Sequence, residues 1–381
     1  GFATDDPKLF RGRAMTYYGR WTYKFEEAAR QGAAAAIIVH DDAPAAYPWD
    51  TVQNSNMGPK LDTASADGNM GRAAIEGWIT RAAADALLRA NGSSYQEQLL
   101  AASRPGFKPV ELRQRASASL RNVIRRASSA NVVAMLPGSK RPDEYVLYMA
   151  HWDHLGRSLG RTGDNIFNGA RDNATGTSAL LTIARAFAES KKRPERTVVF
   201  LGVTLEESGL LGSAYYAANP VFPLKKTVAA LNMDGTAFGG RVRDVSVIGS
   251  GASQLEEYLA AAAKRQDRVL KPEPTPEKGF FFRSDHFNLA KVGVPALYFE
   301  RGIDDRKLGV EGGRAREAEW ILKDYHKPSD EWRPGTDLSG PLEDVELMYA
   351  IGARLAAEKR FPEWYPTSEF RAARDRSLAA P

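Results

Sequence analysis

The sequence predicts an α/β protein whose core sheet is mainly parallel and covered by helices on both faces. Short apolar stretches with the length of strands recur along the chain, as in residues 197–204 (TVVFLGVT). Continuous apolar runs of this kind are typical of parallel strands buried on both faces. Helical segments lie between them, and such alternation favours a parallel sheet. The predicted strands are 144–151, 197–204, 228–233, 245–249 and 295–299, and the predicted helices are 175–189, 209–218, 254–265 and 342–360.

The first hundred residues predict a smaller α/β domain. A helix over 21–30 ends at Gln31-Gly32, and the apolar stretch 33–40 (AAAAIIVH) predicts a buried strand. A further strand and helix are expected between residues 75 and 91. Residues 41–72 are rich in Asp, Pro, Asn and Gly, which predicts a long surface loop. The chain changes character near residue 106, so we expect one domain over 1–106 and a second over 107–381.

The composition is that of an ordinary globular protein. The 381 residues are 43% hydrophobic and 26% charged, and this length is typical of two domains. No apolar run approaches the roughly 18 residues of a membrane span. The net charge is +5, but the basic residues are scattered among 47 acidic ones. Because a nucleic-acid binder would have a basic stripe with interleaved aromatics, no nucleic-acid partner is expected.

The first residues show no signal peptide. Removal of a signal and a shortened chain both fit this observation, and we expect a periplasmic or secreted location. The oligomeric state stays open.

The cysteine and histidine counts narrow the possible chemistry. The chain has no cysteine, which excludes disulfides, thiolate metal ligands and a cysteine nucleophile. It has five histidines, so any metal centre must depend largely on aspartate and glutamate. The histidines are His40, His151, His154, His286 and His326.

Polar residues follow the predicted strands in a regular series. They are HWDH at 151–154, EES at 206–208, NMDG at 232–235, and, outside the strand ends, NGARDNATG at 168–176 and YHKPSDE at 325–331. A lone Asp before a helix is usually an N-cap, and adjacent Glu residues are usually solvated. Five such segments in strand order instead predict a functional edge, because functional residues of open α/β sheets gather at the carboxyl ends of strands.

This series resembles peptidase family M28, a group of zinc aminopeptidases with paired metals. The resemblance covers the chain from about residue 131 onward, with the motifs in the family's order and spacing. Residues 17–42 (YYGRWTYKFEEAARQGAAAAIIVHDD) are similar to a protease-associated (PA) domain. The resemblance therefore implies a PA-like domain over 1–106 and a zinc exopeptidase domain over 107–381.

The resemblance also implies a role for each motif residue. The matched metal ligands are His151 and Asp234 for the first ion, Glu207 and His326 for the second, and Asp172 for both. Glu206 matches the general base, and Asp153 matches the carboxylate that orients His151. Three nitrogen or oxygen ligands per ion, with an open position for water, describe catalytic zinc. We therefore expect two zinc ions per chain, a water that bridges them, and a peptide substrate cut at its amino terminus.

Three segments have weaker interpretations. His154 lies in a motif but not at a ligand position, and His40 ends a PA-like strand; structural roles are expected for both. Ser284, Asp285 and His286 resemble a family segment that lines the substrate cleft, so they are candidate substrate-binding residues. A Ser-His-Asp triad is disfavoured, because residues adjacent in sequence rarely assemble that geometry.

Other functions share this fold or motif set. A glutamate-carboxypeptidase-like enzyme would need arginines aimed at a C-terminal carboxylate, and five lie near the motifs: Arg157, Arg161, Arg171, Arg283 and Arg301. A glutaminyl cyclase, which is an acyltransferase with one zinc, is disfavoured by the full paired ligand set. A non-catalytic binding module like the transferrin-receptor ectodomain is disfavoured by the intact Glu206.

Overall fold

The structure, a computed structural model, describes residues 12–379. The described chain forms two compact units. The smaller unit comprises the residues up to Asp50, with Ala64–Ser129 and Glu277–Gly279; the larger comprises Thr51–Thr63, Ala130–Pro276 and the residues from Phe280 onward.

Strands and α-helices alternate along most of the described chain. The strands are β1 (Ala35–His40), β2 (Ile75–Thr80), β3 (Val132–Leu136), β4 (Arg141–His151), β5 (Gly156–Arg157), β6 (Ile166–Phe167), β7 (Arg196–Val203), β8 (Thr227–Asn232), β9 (Asp244–Val247), β10 (Val269–Pro272) and β11 (Ala296–Arg301). The α-helices are α1 (Trp21–Arg30), α2 (Asp42–Ala45), α3 (Trp49–Ser55), α4 (Arg81–Arg89), α5 (Tyr95–Ala102), α6 (Thr175–Glu189), α7 (Leu211–Ala218), α8 (Leu255–Lys264), α9 (His286–Lys291), α10 (Gly309–Lys323), α11 (Ser339–Ala357) and α12 (Arg371–Ala379).

The larger unit is built on a seven-stranded sheet with the strand order β10-β9-β11-β8-β4-β7-β3. Its four central strands, β11, β8, β4 and β7, run parallel to one another, while β3 and β9 pair antiparallel with their neighbours. The predicted mainly parallel sheet is confirmed. Strands and helices predicted beyond residue 140 are all present, with ends shifted by at most three residues.

Helices cover both faces of this sheet. On one face, Tyr148 of β4 and Phe200 of β7 belong to a buried cluster with Ile183 of α6 and Ile351 of α11. Helix α9 packs against β8 and β11, and its fully buried Leu289 lies outside that cluster. Burial of such side chains from both sides explains why the strands read as continuous apolar runs.

The smaller unit contains a two-stranded parallel sheet, in which β1 pairs with β2. Three aromatic side chains pack edge to face beside it, with ring centroids 5.7–6.3 Å apart: Trp21, Phe25 and Trp78. Strand β1 is less buried than its apolar sequence predicts, since Ile37 is 50% exposed. The assignment of this unit to the PA type stays a prediction.

The segment predicted as a long surface loop over 41–72 contains two short helices, α2 and α3. The loop prediction is wrong here because composition alone does not register burial, and Thr51 and Val52 of α3 are buried. From Thr51 to Thr63 this segment belongs to the larger unit. Among the described residues, no helix has both the length and the apolar character needed to cross a bilayer.

Candidate metal centre

Three parallel strands bring the predicted ligands to one edge of the sheet. His151 is the last residue of β4, Asp234 follows β8 by two residues, and Glu207 follows β7 by four. Because β4 pairs in parallel with both β7 and β8, their carboxyl ends lie side by side. The motif residues therefore meet where open α/β sheets bind their ligands.

Asp172 lies in a tight turn between β6 and α6. Gly169 opens the turn with φ +62°, and a Cβ there would collide with the carbonyl oxygen of Asp172 and the ring of His154, so only glycine fits. The carboxylate of Asp330 accepts the backbone N–H groups of Arg171 at 3.0 Å and Asp172 at 3.1 Å. These bonds fix the backbone that presents the Asp172 carboxylate.

Asp172 divides the centre into two halves. Its Oδ1 lies 3.2 Å from Nε2 of His151, and its Oδ2 lies 3.4 Å from Nε2 of His326. We call His151 and Asp234 the His151 half; Glu207, His326 and His154 form the His326 half. The structure thus brings together all five predicted ligands.

The His151 half is compact and buried. Nε2 of His151 lies 3.2 Å from Oδ1 of Asp234, and the histidine is 1% exposed. The other oxygen of Asp234, Oδ2, accepts a 2.5 Å hydrogen bond from Ser284 Oγ, which in turn accepts from Asn232 Nδ2 at 2.7 Å. Burial alone would lower the pKa of His151, but Asp234 and the other carboxylates around it raise that pKa well above its ordinary value.

The His326 half contains two imidazoles. Nε2 of His326 lies 3.3 Å from Oε2 of Glu207, and Nδ1 of His154 lies 2.6 Å from Oε1 of the same carboxylate. Apart from this ion-pair contact, the buried His154 nitrogens and Glu207 Oε1 have no hydrogen-bond partner among the described residues. Sequence reasoning assigned His154 no ligand role, yet its donor atom clusters with those of Asp172 and Glu207 within 4.8 Å.

The spacing of the donor atoms fits zinc. Tetrahedral zinc with ligands at 2.0–2.2 Å separates them by about 3.3–3.6 Å, and the imidazole–carboxylate distances among the five predicted ligands are 3.2–3.4 Å. Buried charged groups are otherwise costly, so they are paired or bind metals. Bound cations would account for the buried Nε2 of His154, which has no hydrogen-bond partner among the described residues, and for the excess of carboxylates over imidazoles.

Glu206 lies beside these ligands but belongs to neither cluster of donor atoms. The preceding Leu205 has φ +58°, an uncommon conformation for a non-glycine residue, which turns the chain sharply after β7. Burial raises the pKa of the Glu206 carboxyl well above its usual range, and the neighbouring Asp234 adds to this effect. A carboxyl group with a raised pKa and no ligand role is suited to proton transfer.

The contact between Asp153 and His151 differs from the predicted one, in which the Asp153 carboxylate orients the histidine. The shorter contact of His151 Nδ1 is with the backbone oxygen of Asp153 at 3.1 Å, and the Asp153 carboxylate lies 3.8 Å away. That carboxylate accepts the backbone N–H groups of Glu206 at 3.0 Å and Glu207 at 3.3 Å. Asp153 therefore connects the end of β4 to the turn that follows β7.

The segment 284–286 lies behind the His151 half. Ser284 contacts Asp234, and fully buried Asp285 accepts a 2.5 Å hydrogen bond from Ser213 Oγ. Burial raises the pKa of Asp285 to about 7. His286 is packed against the rings of Phe281 and Tyr298, and burial lowers its pKa to about 3. Their role in substrate binding stays a prediction, and the three side chains do not form a triad.

Two contacts at the site were missed by sequence reasoning. The side chain of Asn173 donates to the backbone oxygen of Met233 at 3.1 Å and accepts from the N–H groups of Gly176 at 3.0 Å and Gly235 at 3.1 Å. Its position inside the ARDNATG motif was the available signal. Ser55 Oγ lies 2.7 Å from Nδ1 of His326, and nothing in the local sequence marks it.

Fold and donor set together define a zinc metallopeptidase. A model of Peptidase family M28 matches residues 131–342, more than half of the chain. The chain belongs to peptidase family M28, a family of zinc metallopeptidases. The predicted family is confirmed.

Curated relatives share the matched region. The mouse protein Aminopeptidase NAALADL1 is 28% identical over 168 residues, which cover 42% of this chain and 20% of the mouse protein. The Glutamate carboxypeptidase 2 homolog of Caenorhabditis elegans is 27% identical over 208 residues, or 53% of this chain and 24% of that protein. The matches therefore span only about a fifth to a quarter of these relatives.

A solved structure has the same fold. The aminopeptidase from Aneurinibacillus sp. strain AM-1 superposes with a TM-score of 0.51 at 21% identity, over 89% of this chain and 67% of that one. This likeness confirms the fold class of the mostly parallel sheet flanked by helices.

Proposed function

We propose that this chain is an exopeptidase of the aminopeptidase type that holds two zinc ions. The observation that carries the proposal is the position of Asp172, whose two carboxylate oxygens face Nε2 of His151 and Nε2 of His326 separately. One carboxylate shared in this way serves two adjacent cation sites. His151 and Asp234 complete one site, and Glu207 and His326 complete the other.

Zinc bound there would supply a Lewis acid for the scissile carbonyl and lower the pKa of a water molecule. Glu206 would take the proton of the attacking water and pass it to the leaving amine, since its carboxyl has a raised pKa and no ligand role. Asp153 would hold Glu206 in place, because its carboxylate accepts a hydrogen bond from the backbone N–H group of Glu206.

The arginines favour cleavage at the amino terminus. A carboxypeptidase needs an arginine available for the substrate carboxylate. Instead, Nη2 of Arg171 donates to both carboxylate oxygens of Glu317, at 2.8 and 2.9 Å, and the guanidinium lies 3.7 Å from the ring centroid of Trp320. Arg301 donates to two backbone oxygens, at 3.2 and 2.9 Å. Two of the five candidate arginines are thus occupied by the protein itself.

A peptide panel with the Glu206→Gln variant tests this proposal. The zinc-loaded protein should cleave peptides with a free amino terminus and cleave N-acetylated copies far more slowly. Glu206→Gln should lower kcat by about 10²–10⁴-fold with unchanged zinc content, because a general base typically contributes that much. Full activity in Glu206→Gln would mean that another group is the base.

The same panel separates the competing functions. Equal cleavage of acetylated peptides, together with loss of cleavage on C-terminal amidation, would identify a carboxypeptidase such as the C. elegans relative's name implies. Pyroglutamate formation from a Gln-initiated peptide would identify a cyclase, and metal binding without turnover would identify a binding module. We also propose a PA-type smaller unit and a periplasmic or secreted location.

A further inference from the structure

The segment Thr51–Thr63 belongs to the larger unit, although it lies within the sequence predicted as the N-terminal domain. Its helix α3 ends beside His326. Ser55 Oγ lies 2.7 Å from Nδ1 of His326, and Asn54 Nδ2 donates to the backbone oxygen of His326 at 2.9 Å. Two consecutive side chains therefore contact one proposed metal ligand, one at its ring and one at its backbone.

The hydroxyl proton of Ser55 determines the direction of the bond to His326. Ser55 Oγ donates to the backbone oxygen of Thr51 at 2.8 Å, and a hydroxyl group has only one proton to donate. With its proton in that bond, Ser55 accepts from His326, and Nδ1 of the imidazole carries the proton. This tautomer leaves a lone pair on Nε2, the atom that faces Asp172 and Glu207.

The backbone of His326 needs this support. Its φ of +56° lies in the left-handed region, which is uncommon for residues other than glycine. The Asn54 bond holds the carbonyl group of that strained residue, while Ser55 holds the ring. Helix α3 is itself anchored, because Thr51 and Val52 are 2% and 6% exposed.

We propose that Ser55 is a positioning residue for the His326 half: it fixes the Nδ1–H tautomer and the ring orientation with which His326 binds zinc. This inference rests on the proposed two-zinc function. Partners of the second imidazole nitrogen orient ligating histidines, and their loss typically costs 10–100-fold in metal affinity. A segment remote in sequence thus completes the second metal site.

Zinc titration of the metal-free full chain, followed by isothermal calorimetry, tests the role of Ser55. Ser55→Ala should weaken one of two zinc-binding steps by about 10–100-fold and leave the other unchanged. Ser55→Thr keeps the hydroxyl and should restore both steps. Ser103→Ala is the matched control, since Ser103 Oγ also donates to a backbone oxygen at a helix end, at 2.7 Å, without contacting a histidine.

A second measurement reports the tautomer directly. With ¹⁵N-labelled histidine, zinc-loaded wild type should show a solvent-protected Nδ1–H resonance that is absent in His326→Gln and in Ser55→Ala, and present in Ser55→Thr. The small number of histidines, five, keeps the assignment tractable. Circular dichroism of metal-free Ser55→Ala identifies a folding defect, and in that event Asn54→Ala should still weaken the same zinc step.

The outcomes distinguish the two proposals. Wild-type titration of both steps in Ser55→Ala, or a protected Nδ1–H of His326 without the Ser55 hydroxyl, would overturn the positioning role and leave the two-zinc proposal intact. A wild-type protein that takes up fewer than two zinc ions would instead overturn the two-zinc proposal, and the role of Ser55 in it would fall as well.

Discussion

The two halves of the metal centre are held by different parts of the chain. In the His151 half, His151 ends β4, Asp234 follows β8, and Ser284 donates a hydrogen bond to Asp234. In the His326 half, His326 lies in a loop with a left-handed backbone, and its ring is supported from helix α3, 271 residues away in sequence.

The two halves therefore differ in how their ligands are held in place. The ends of central strands are fixed by the sheet's hydrogen bonds, so the His151 half needs few additional contacts. A loop ligand has no such scaffold, and its geometry depends on bonds from a distant segment. We therefore expect the His326 half to be the weaker zinc site and the one more sensitive to substitution outside the ligands.

The largest expected effect is that of removing the shared ligand. Asp172→Ala should abolish turnover and lose both zinc ions, because this carboxylate contacts a histidine in each half. Elemental analysis after zinc loading measures the loss. Retention of one tightly bound ion would show that one half binds zinc without Asp172. That half would then be the one with the higher zinc affinity.

A smaller effect should follow from removing one imidazole. His326→Ala should lose one ion of two and lower turnover strongly, while the His151 half keeps its ion. The matched variant is His154→Ala, which removes the other imidazole that contacts Glu207. It should retain two ions, since His154 is not one of the five predicted ligands. Loss of an ion in His154→Ala but not in His326→Ala would make His154 the ligand in place of His326.

The hydroxyl of Ser284, which supports the His151 half, provides a milder test. Ser284→Ala removes the 2.5 Å bond to Asp234 and should weaken zinc binding at the His151 half by up to about 10–100-fold. Because the strand end already fixes Asp234, the effect should be smaller than that of Ser55→Ala on the other half. Competition with a chelating fluorophore gives both affinities, and Ser190, whose hydroxyl donates to the backbone oxygen of Lys192, offers a neutral Ser→Ala control.

The smallest expected effect concerns the pH dependence of stability in the metal-free protein. Burial raises the pKa of Asp285 to about 7, above the value of about 3.9 in an unfolded chain. A raised folded-state pKa contributes stability below the unfolded pKa that is lost as the pH rises to the folded one. Asp285→Asn cannot ionise, so relative to wild type its melting temperature in EDTA should rise between pH 4 and pH 7. A constant difference across this range would contradict the prediction.

The sheet and its ligand edge could be predicted because their signals are local. An apolar run followed within a few residues by His151, Asp234 or Glu207 marks both the strand and its functional end. Asp172 could be predicted for the same reason, because its motif directly precedes helix α6 in the sequence. These patterns require no knowledge of which distant segments meet.

The features that were not predicted from the sequence are those that depend on contacts between distant segments. Ser55 lies in a segment whose Pro, Asn and Asp content predicted a loop, but the burial of Val52 within the larger unit favours a helix. The position of His154 likewise depends on Gly169, which lets the turn carrying Asp172 approach the ring. Neither the burial of Val52 nor the close approach at Gly169 can be inferred from the spacing of residues in the sequence.

The amide of Asn173 has a consequence for the charge of the centre. It joins the ends of β4 and β8 to the start of α6 by donating and accepting at the same time. An aspartate of the same shape could accept these bonds but not donate them, and it would add a further negative charge to a crowded anionic pocket. The side chain that joins these two strand ends to α6 is therefore uncharged.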